Sequence, residues 1–191
     1  MPNWAQNVVT LRHADAAMIV RAAEGFAKGE FLQTFLPCPE ALLVTESVYF
    51  PDSMPEEQEK QAFKEAENIK NHGYRNWYDW KVANWSTKWD IGDEGGLTRV
   101  DEHALSLFFD SAWSPPIGAY EQLIELGFEL EAFYYEPGMA FCGSWTNGDE
   151  ESYDIPNTAA EAEKVIPEVI DDTFDIVNGM AMWEEEDEAE C

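Results

Sequence analysis

Cysteine, histidine and serine are the side chains best suited to nucleophilic chemistry, and the sequence gives none of them a suitable partner. The three cysteines form no CxxC pair and have no metal-ligand spacing. The histidines are scattered, and Cys142 falls in a predicted strand. The segment SAWSPP, Ser111 to Pro116, lacks the G-x-S-x-G nucleophile elbow and is typical of a strand end before a helix. We therefore predict no catalytic residues and a protein that is not an enzyme. The side chains considered are Cys38, Cys142, Cys191, His13, His72 and His103.

Carboxylates are grouped in two places at a density that raises the question of a divalent cation site. Neither group matches the EF-hand spacing D-x-[DN]-x-[DN]-G, and a solvated acidic face is the simpler interpretation. The sequence also lacks a glycine-rich or basic phosphate-binding motif. It therefore predicts no metal ion and no cofactor. The two groups are Asp90, Asp93 and Glu94, and Asp171, Asp172 and Asp175.

Acidic residues outnumber basic ones, and they are concentrated in the second half of the chain. The formal net charge is −28. Residues 1–100 contain 15 acids and 10 Lys/Arg, whereas residues 101–191 contain 24 acids and one base, Lys164. The second half therefore carries −23 of the total. This charge repels nucleic acid, whose binding needs Lys/Arg against phosphates, and it repels anionic membranes while attracting cationic partners.

Outward-facing acids of this half could approximate the charge density of DNA. Duplex DNA carries a negative charge every ~1.7 Å of axis, and a helix with carboxylates on one face rises ~1.5 Å per residue. The hypothesis is a surface that binds a basic nucleic-acid-binding protein. Acidity that serves only solubility, or a salt-tolerant origin, stays open as the alternative. The candidate partner-binding residues are Glu129, Glu131, Asp149, Glu150, Glu151, Glu161, Glu163, Glu168, Asp171, Asp172 and Asp175.

Hydrophobic periodicity in the first third predicts alternating strands and helices. Asn7 to Arg12 is predicted as a strand and Asp15 to Phe26 as a helix with apolar residues at helical spacing. Residues 31–43 are predicted to form an apolar loop that packs on the core. Residues 51–72 are predicted to form an inserted surface helix, because acids fill the first turn and the apolar stripe is thin.

Residues 73–91, GYRNWYDWKVANWSTKWDI, hold four of the eight tryptophans. Asn76 is predicted to cap a short helix over Trp77 to Asn84, and Thr87 to Ile91 is predicted as a strand. Residues 92–96 are predicted as a turn or loop. Such a cluster could stack on bases, but few basic residues lie near it. Core packing is the favoured interpretation.

The second half continues with strands predicted over residues 104–113, 128–135, 139–146 and 151–155, and one helix from Ile117. The resulting order is a β-α-β-β-α-β split unit with an extra β-hairpin and an inserted helix. The predicted fold class is α+β, a ferredoxin-like sandwich with two helices on one face of an antiparallel sheet. Residues 1–155 form this domain. Residues 156–191 form an acidic helical C-terminal extension ending in a like-charge run at 184–190 that is predicted to be poorly ordered.

Four segments resemble one family of small proteins from phages and plasmids. They are Asn3-Trp4 with Asn7, WYDWKVANWSTKWD, SAWSPP and EPGMAFCGSW, and the resemblance runs from Pro2 to about Ile155. The family is the ferredoxin-like domain family named after YubB. The resemblance implies a ferredoxin-like fold and a mobile-element origin. It implies no enzyme activity and no catalytic residues to transfer to this chain.

Charge and resemblance together predict an acidic phage or plasmid protein that acts in the host bacterial cytoplasm. The expected role is a nucleic-acid mimic that inhibits a basic component of a restriction or CRISPR defence system. No secretion signal or membrane-spanning run is recognised in the sequence. An assembly module that forms a homodimer through sheet edges or C-terminal helices is the second hypothesis. A metal- or nucleotide-dependent enzyme is the third.

Overall fold

The computed structural model describes residues 3–48, 50–51, 53–92 and 94–190, so Asp93 and Cys191 lie outside the described residues. The strands are β1 (Trp4–His13), β2 (Gly96–Asp101), β3 (Ala104–Ala112), β4 (Phe128–Glu136), β5 (Phe141–Thr146) and β6 (Asp149–Asp154). The helices are α1 (Ala16–Ala27), α2 (Phe31–Phe35), α3 (Glu40–Leu43), α4 (Pro55–His72), α5 (Trp77–Trp85), α6 (Ile117–Glu125), α7 (Ala159–Val165), α8 (Glu168–Phe174) and α9 (Ile176–Glu190).

The strands form one antiparallel sheet in the order β2-β3-β1-β4-β5-β6. The predicted α+β class is confirmed. As a whole, this order differs from that of a four-stranded ferredoxin-like sheet, because the β5–β6 hairpin adds two strands beyond β4. The predicted Asn147-Gly148 turn joins that hairpin, with φ of 49° and 107° at its two residues. Positive φ at both central positions is the geometry of a two-residue hairpin loop.

The main core lies between one face of the sheet and helices α1, α2 and α6. Alternate residues of β1 and β4, such as Leu11 and Leu130, point into it. Helix α1 contributes Ile19 and Phe26, as the periodicity predicted. Residues 31–43, predicted as a loop, form the short helices α2 and α3, and Leu32 packs in this core.

Helices α7, α8 and α9 lie on the other face of the sheet, over strands β4 to β6. A second cluster joins Ile170 of α8 to Cys142 of β5 and to Phe133 and Tyr135 of β4. The Tyr135 and Phe174 rings lie 5.9 Å apart between centroids. The sheet therefore carries helices on both faces, whereas the sequence predicted two helices on one face. The run at residues 184–190, predicted to be poorly ordered, continues α9.

In residues 73–91, the tryptophan segment, one tryptophan is buried in the core and another is exposed. Asn76 caps α5 through bonds from the Tyr78 and Asp79 amides, as predicted. Trp85 is fully buried, and its indole N–H donates to the Leu36 carbonyl at 3.0 Å. Trp89, in contrast, is 40% exposed. The core interpretation therefore holds for Trp85 and not for Trp89.

The prediction of a strand over Thr87 to Ile91 is wrong, because polar side chains of this segment form hydrogen bonds with backbone amides of other segments. Thr87 Oγ1 accepts the Ala112 amide at 3.2 Å, and the Asp90 carboxylate accepts the amides of Leu32 and Gln33 at 2.7 and 2.9 Å. The second strand is β2, six residues that are exposed on both faces.

Candidate protein-binding surface

Four of the predicted acids lie on the sheet face that carries α7–α9. Glu129 and Glu131 are exposed residues of β4, on the same face as Phe133 and Tyr135. In the sheet register, Thr146 lies between Glu131 and Asp149, and Ser144 lies beside Glu151. With strands ~4.8 Å apart and ~3.4 Å per residue, neighbouring carboxylate-bearing positions in this patch are separated by ~7–10 Å.

Glu150 does not belong to this face. Side chains alternate along a strand, and Glu150 pairs with the core residue Trp145. Its carboxylate accepts a hydrogen bond from the Tyr134 hydroxyl at 2.9 Å. The prediction that placed it beside Asp149 and Glu151 is therefore wrong, because the strand register directs it to the opposite side of the sheet.

Helices α7 and α8 place further acids on the same side of the sheet. Glu161 and Glu163 are exposed on α7, and Glu168 and Asp172 are exposed on α8. Ile166 is extended, with φ −80° and ψ 127°, so the two helices are separate elements of seven residues each. The carboxylates therefore form short clusters on two helices.

Two predicted docking residues also have structural roles in the turn between α8 and α9. Asp171 is half-buried, and its Oδ1 accepts the Val177 amide at 2.8 Å in the first turn of α9. Asp175 ends α8 in the left-handed conformation, with φ 55°, and accepts the Asn178 side-chain amide at 2.9 Å. Asp175 remains exposed, whereas the inward carboxylate of Asp171 is poorly placed for a partner.

The predicted partner-binding acids that lie exposed on one side of the sheet form what we call the acidic surface. It consists of Glu129, Glu131, Asp149, Glu151, Glu161, Glu163, Glu168, Asp172 and Asp175. Arg12 aligns with Glu129 at one end of it and Lys164 lies on α7. Within the described ranges, the one Lys/Arg ion pair is Arg75–Asp79 on another part of the chain. The carboxylates of the acidic surface are thus available to an external cation.

Buried thiols and a hydrogen-bonded serine give little basis for covalent chemistry. Burial raises the pKa of Cys38 to about 11, and burial with a smaller effect of Asp171 raises the pKa of Cys142 to about 11. Ser111 of the SAWSPP segment accepts from Asn7 Nδ2 at 2.9 Å and donates to the Ser114 carbonyl at 2.7 Å. The Ser111 hydroxyl is therefore engaged in holding the end of β3 in place.

The described part of the chain contains no group of three or more His, Cys, Asp or Glu side chains placed to hold a metal ion. None of its helices has the length and apolar character needed to cross a membrane.

An exposed aromatic cluster at the start of β1 was not predicted from the sequence. The Trp4 and Trp89 rings stack with centroids 5.4 Å apart. The Lys88 ammonium lies 3.7 Å from the Trp89 ring centroid and 4.3 Å from that of Trp113. A pocket of about 590 Å³ opens beside Trp4 and Trp89 and also contains Asp110. The sequence signal was Trp4 at the start of a strand, far from the main tryptophan segment.

Comparison with known proteins yields one distant structural similarity. No family model matches the sequence, and no curated protein matches it. The crystal structure of the protein api92 from Yersinia pseudotuberculosis, of family DUF1281, is similar at 11% identity and a TM-score of 0.43. The match covers 82% of this chain and 99% of that chain. A similarity at this level does not assign the chain to a family.

Proposed function

We propose that this chain is a non-enzymatic binding protein whose acidic surface docks on a basic nucleic-acid-binding protein. The observation that carries the proposal is the gathering of nine exposed acids on one side of the sheet, on strands β4 and β6, helices α7 and α8, and the α8 C-cap. Such a field steers a cationic partner and makes its association fast and salt-sensitive.

The partner class follows from the sign and the extent of the charge. Basic proteins that bind DNA or RNA expose Lys/Arg grooves fitted to phosphates. The four acids on β4 and β6, at positions ~7–10 Å apart, together with the acids of α7 and α8, offer these grooves several anions at once. In the proposed role the chain occupies the groove and excludes the nucleic acid. The resemblance to phage and plasmid proteins makes a restriction or CRISPR component of the bacterial cytoplasm the first partner to test.

We also propose that strands β1 to β4 with α1 and α6 form a ferredoxin-like unit to which the β5–β6 hairpin is added. The support is the order β2-β3-β1-β4 of these strands and their antiparallel pairing. In this scheme the β5–β6 hairpin widens the sheet, and α7–α9 cover the added width. The acidic surface would then belong to the additions and to the outer face of β4.

Affinity capture of bacterial proteins at low and high salt tests the docking role. The informative variant neutralises five acids of the acidic surface for which no structural hydrogen bond is seen: Glu129→Gln, Glu131→Gln, Glu163→Gln, Glu168→Gln and Asp172→Asn. We expect the wild-type chain to retain a basic nucleic-acid-binding protein at low salt. The five-site variant should retain much less of it.

A matched control distinguishes the effect of the acidic surface on binding from the effect of net charge. Five exposed acids on the opposite side, at α1, α3 and α6 and near α2, can be neutralised to give the same total charge: Glu24→Gln, Glu30→Gln, Glu40→Gln, Glu121→Gln and Glu125→Gln. The proposal requires this control to bind nearly as well as wild type. Equal loss in both variants would show that net charge alone attracts the partner and that the acidic surface is not the docking site.

A further inference from the structure

Helix α4 turns its polar side toward the rest of the chain. Gln61 Nε2 donates to the Glu46 carbonyl at 2.7 Å, and Asn68 Nδ2 donates to Thr45 Oγ1 at 2.9 Å and to the Arg75 carbonyl at 2.8 Å. Asn68 is the buried residue of this helix. Amide side chains therefore attach α4 to the body of the protein, the reverse of an ordinary surface helix, which buries its apolar stripe.

The outward side of α4 carries the apolar residues. At 3.6 residues per turn, one face contains Glu59, Ala62, Phe63, Ala66, Ile69 and Lys70. Phe63 is 70% exposed and Ile69 is 50% exposed. A groove of about 910 Å³ beside the helix continues this surface through Phe63, Phe50 and Val44, and Val44 is 64% exposed. Contiguous exposed apolar surface is typical of protein interaction sites.

We propose that this face pairs with the same face of a second copy of the chain, with the two α4 helices antiparallel about a two-fold axis. A register in which the two-fold axis passes midway between Phe63 and Ala66, close to the centre of α4, places Phe63 against Ala66 of the partner subunit. The same register places Glu59 against Lys70 of the partner subunit. Each contact then occurs twice, as two-fold symmetry requires.

Size and charge complementarity identify a second copy of the chain as the partner that binds the outward face of α4. A large side chain meets a small one in the middle of the face, and an acid meets a base at each end. Antiparallel helices also align their dipoles favourably. Five acids and three lysines give residues 55–72 a net charge of only −2. A second copy of a chain with net charge −28 therefore meets less repulsion at α4 than at the acidic surface.

Sedimentation equilibrium of the full chain over about 1–200 µM tests the pairing. We expect a monomer of 21.7 kDa in equilibrium with a species of twice that mass. Phe63→Ser should weaken the dimer at least about tenfold, since a central aromatic residue usually dominates such a contact. Phe108→Ser removes another exposed phenylalanine, on β3, and should leave the dissociation constant unchanged. Circular dichroism checks that each variant is folded.

Charge exchange tests the antiparallel register. Glu59→Lys places two lysines opposite each other at both ends of the pair, and Lys70→Glu places two acids there. Each single variant should weaken the dimer, whereas the double variant Glu59→Lys, Lys70→Glu should restore it. A chain that stays monomeric throughout the concentration range overturns the proposal. So does a dimer that is insensitive to Phe63→Ser, or one that the double variant fails to restore.

The pairing is independent of the proposed function, because α4 contributes no residue to the acidic surface. A monomeric chain that still binds a basic partner would overturn the pairing alone. A dimer without a basic partner would overturn the proposed function alone.

Discussion

Replacing Asp171 and Asp172 in turn by alanine separates a structural carboxylate from an exposed one. Asp171 is half-buried and accepts the Val177 amide at the start of α9, at 2.8 Å. Loss of a side chain that caps a helix amide costs ~0.5–2 kcal/mol. In a chain of this length, ~1 kcal/mol lowers the melting temperature by ~2–4 °C. With ~1–2 kcal/mol for this bond, we expect Asp171→Ala to lower the Tm by about 2–8 °C.

Asp172→Ala is the matched control, because it removes the same charge from the next residue of the same helix. Asp172 is exposed, and a substitution there should change stability by less than ~0.5 kcal/mol. Asp171→Asn keeps an oxygen acceptor and should recover much of the loss. Differential scanning calorimetry of the three variants is the assay. Equal melting temperatures for Asp171→Ala and Asp172→Ala would refute the structural role given to Asp171.

Three further predictions concern the core, the pH dependence and the thiols. Trp85→Phe leaves the Leu36 carbonyl without its indole donor and should lower the free energy of unfolding, measured in urea, by ~1–3 kcal/mol. Trp183→Phe changes a residue that is 75% exposed and should lower it by less than ~0.5 kcal/mol. Burial raises the pKa of Asp90 above the ordinary 3.8, although three backbone amides oppose the shift. The Asp90 carboxyl group therefore ionises at a lower pH in the unfolded chain than in the folded chain. The free energy of unfolding should accordingly fall as the pH rises from 3.8 through the folded pKa of Asp90. Urea unfolding measured at a series of pH values should show that Asp90→Asn lacks this part of the pH dependence. A chain with Cys38→Ala and Cys191→Ala keeps Cys142 as its single thiol, whose pKa of about 11 should make labelling by a disulfide reagent at neutral pH slow until urea unfolds the protein.

Local signals in the sequence predicted the elements whose geometry depends on nearby residues. Helix α1 follows its apolar spacing, Asn76 caps α5, and Asn147-Gly148 makes the β5–β6 turn. In each of these cases the determining residues lie within a few positions of one another. The sequence contains no comparable signal for the edge strand β2. All six of its residues are exposed, so buried and exposed positions do not alternate along it.

Long-range contacts explain what could not be predicted. Asp90 bonds to the amide of Leu32, 58 positions away in the sequence, and this contact replaces the predicted strand. Glu150 and Glu151 look alike in a sequence, but the register of β6 sends them to opposite faces of the sheet. The inward position of Asp171 depends on how α8 and α9 meet. The distribution of charge along the sequence predicted which half of the chain holds the acidic surface. The tertiary structure determines which acidic residues belong to it.

Elution of the captured partner by duplex DNA tests the central claim most directly. The chain is immobilised, loaded with bacterial proteins at low salt and washed with a short duplex at constant ionic strength. A protein whose nucleic-acid groove is occupied by the acidic surface should be released by the duplex. The same protein should be absent from resin that carries the five-site variant of the acidic surface. Retention of a basic protein that DNA does not displace, or capture of no nucleic-acid-binding protein at all, would contradict the account.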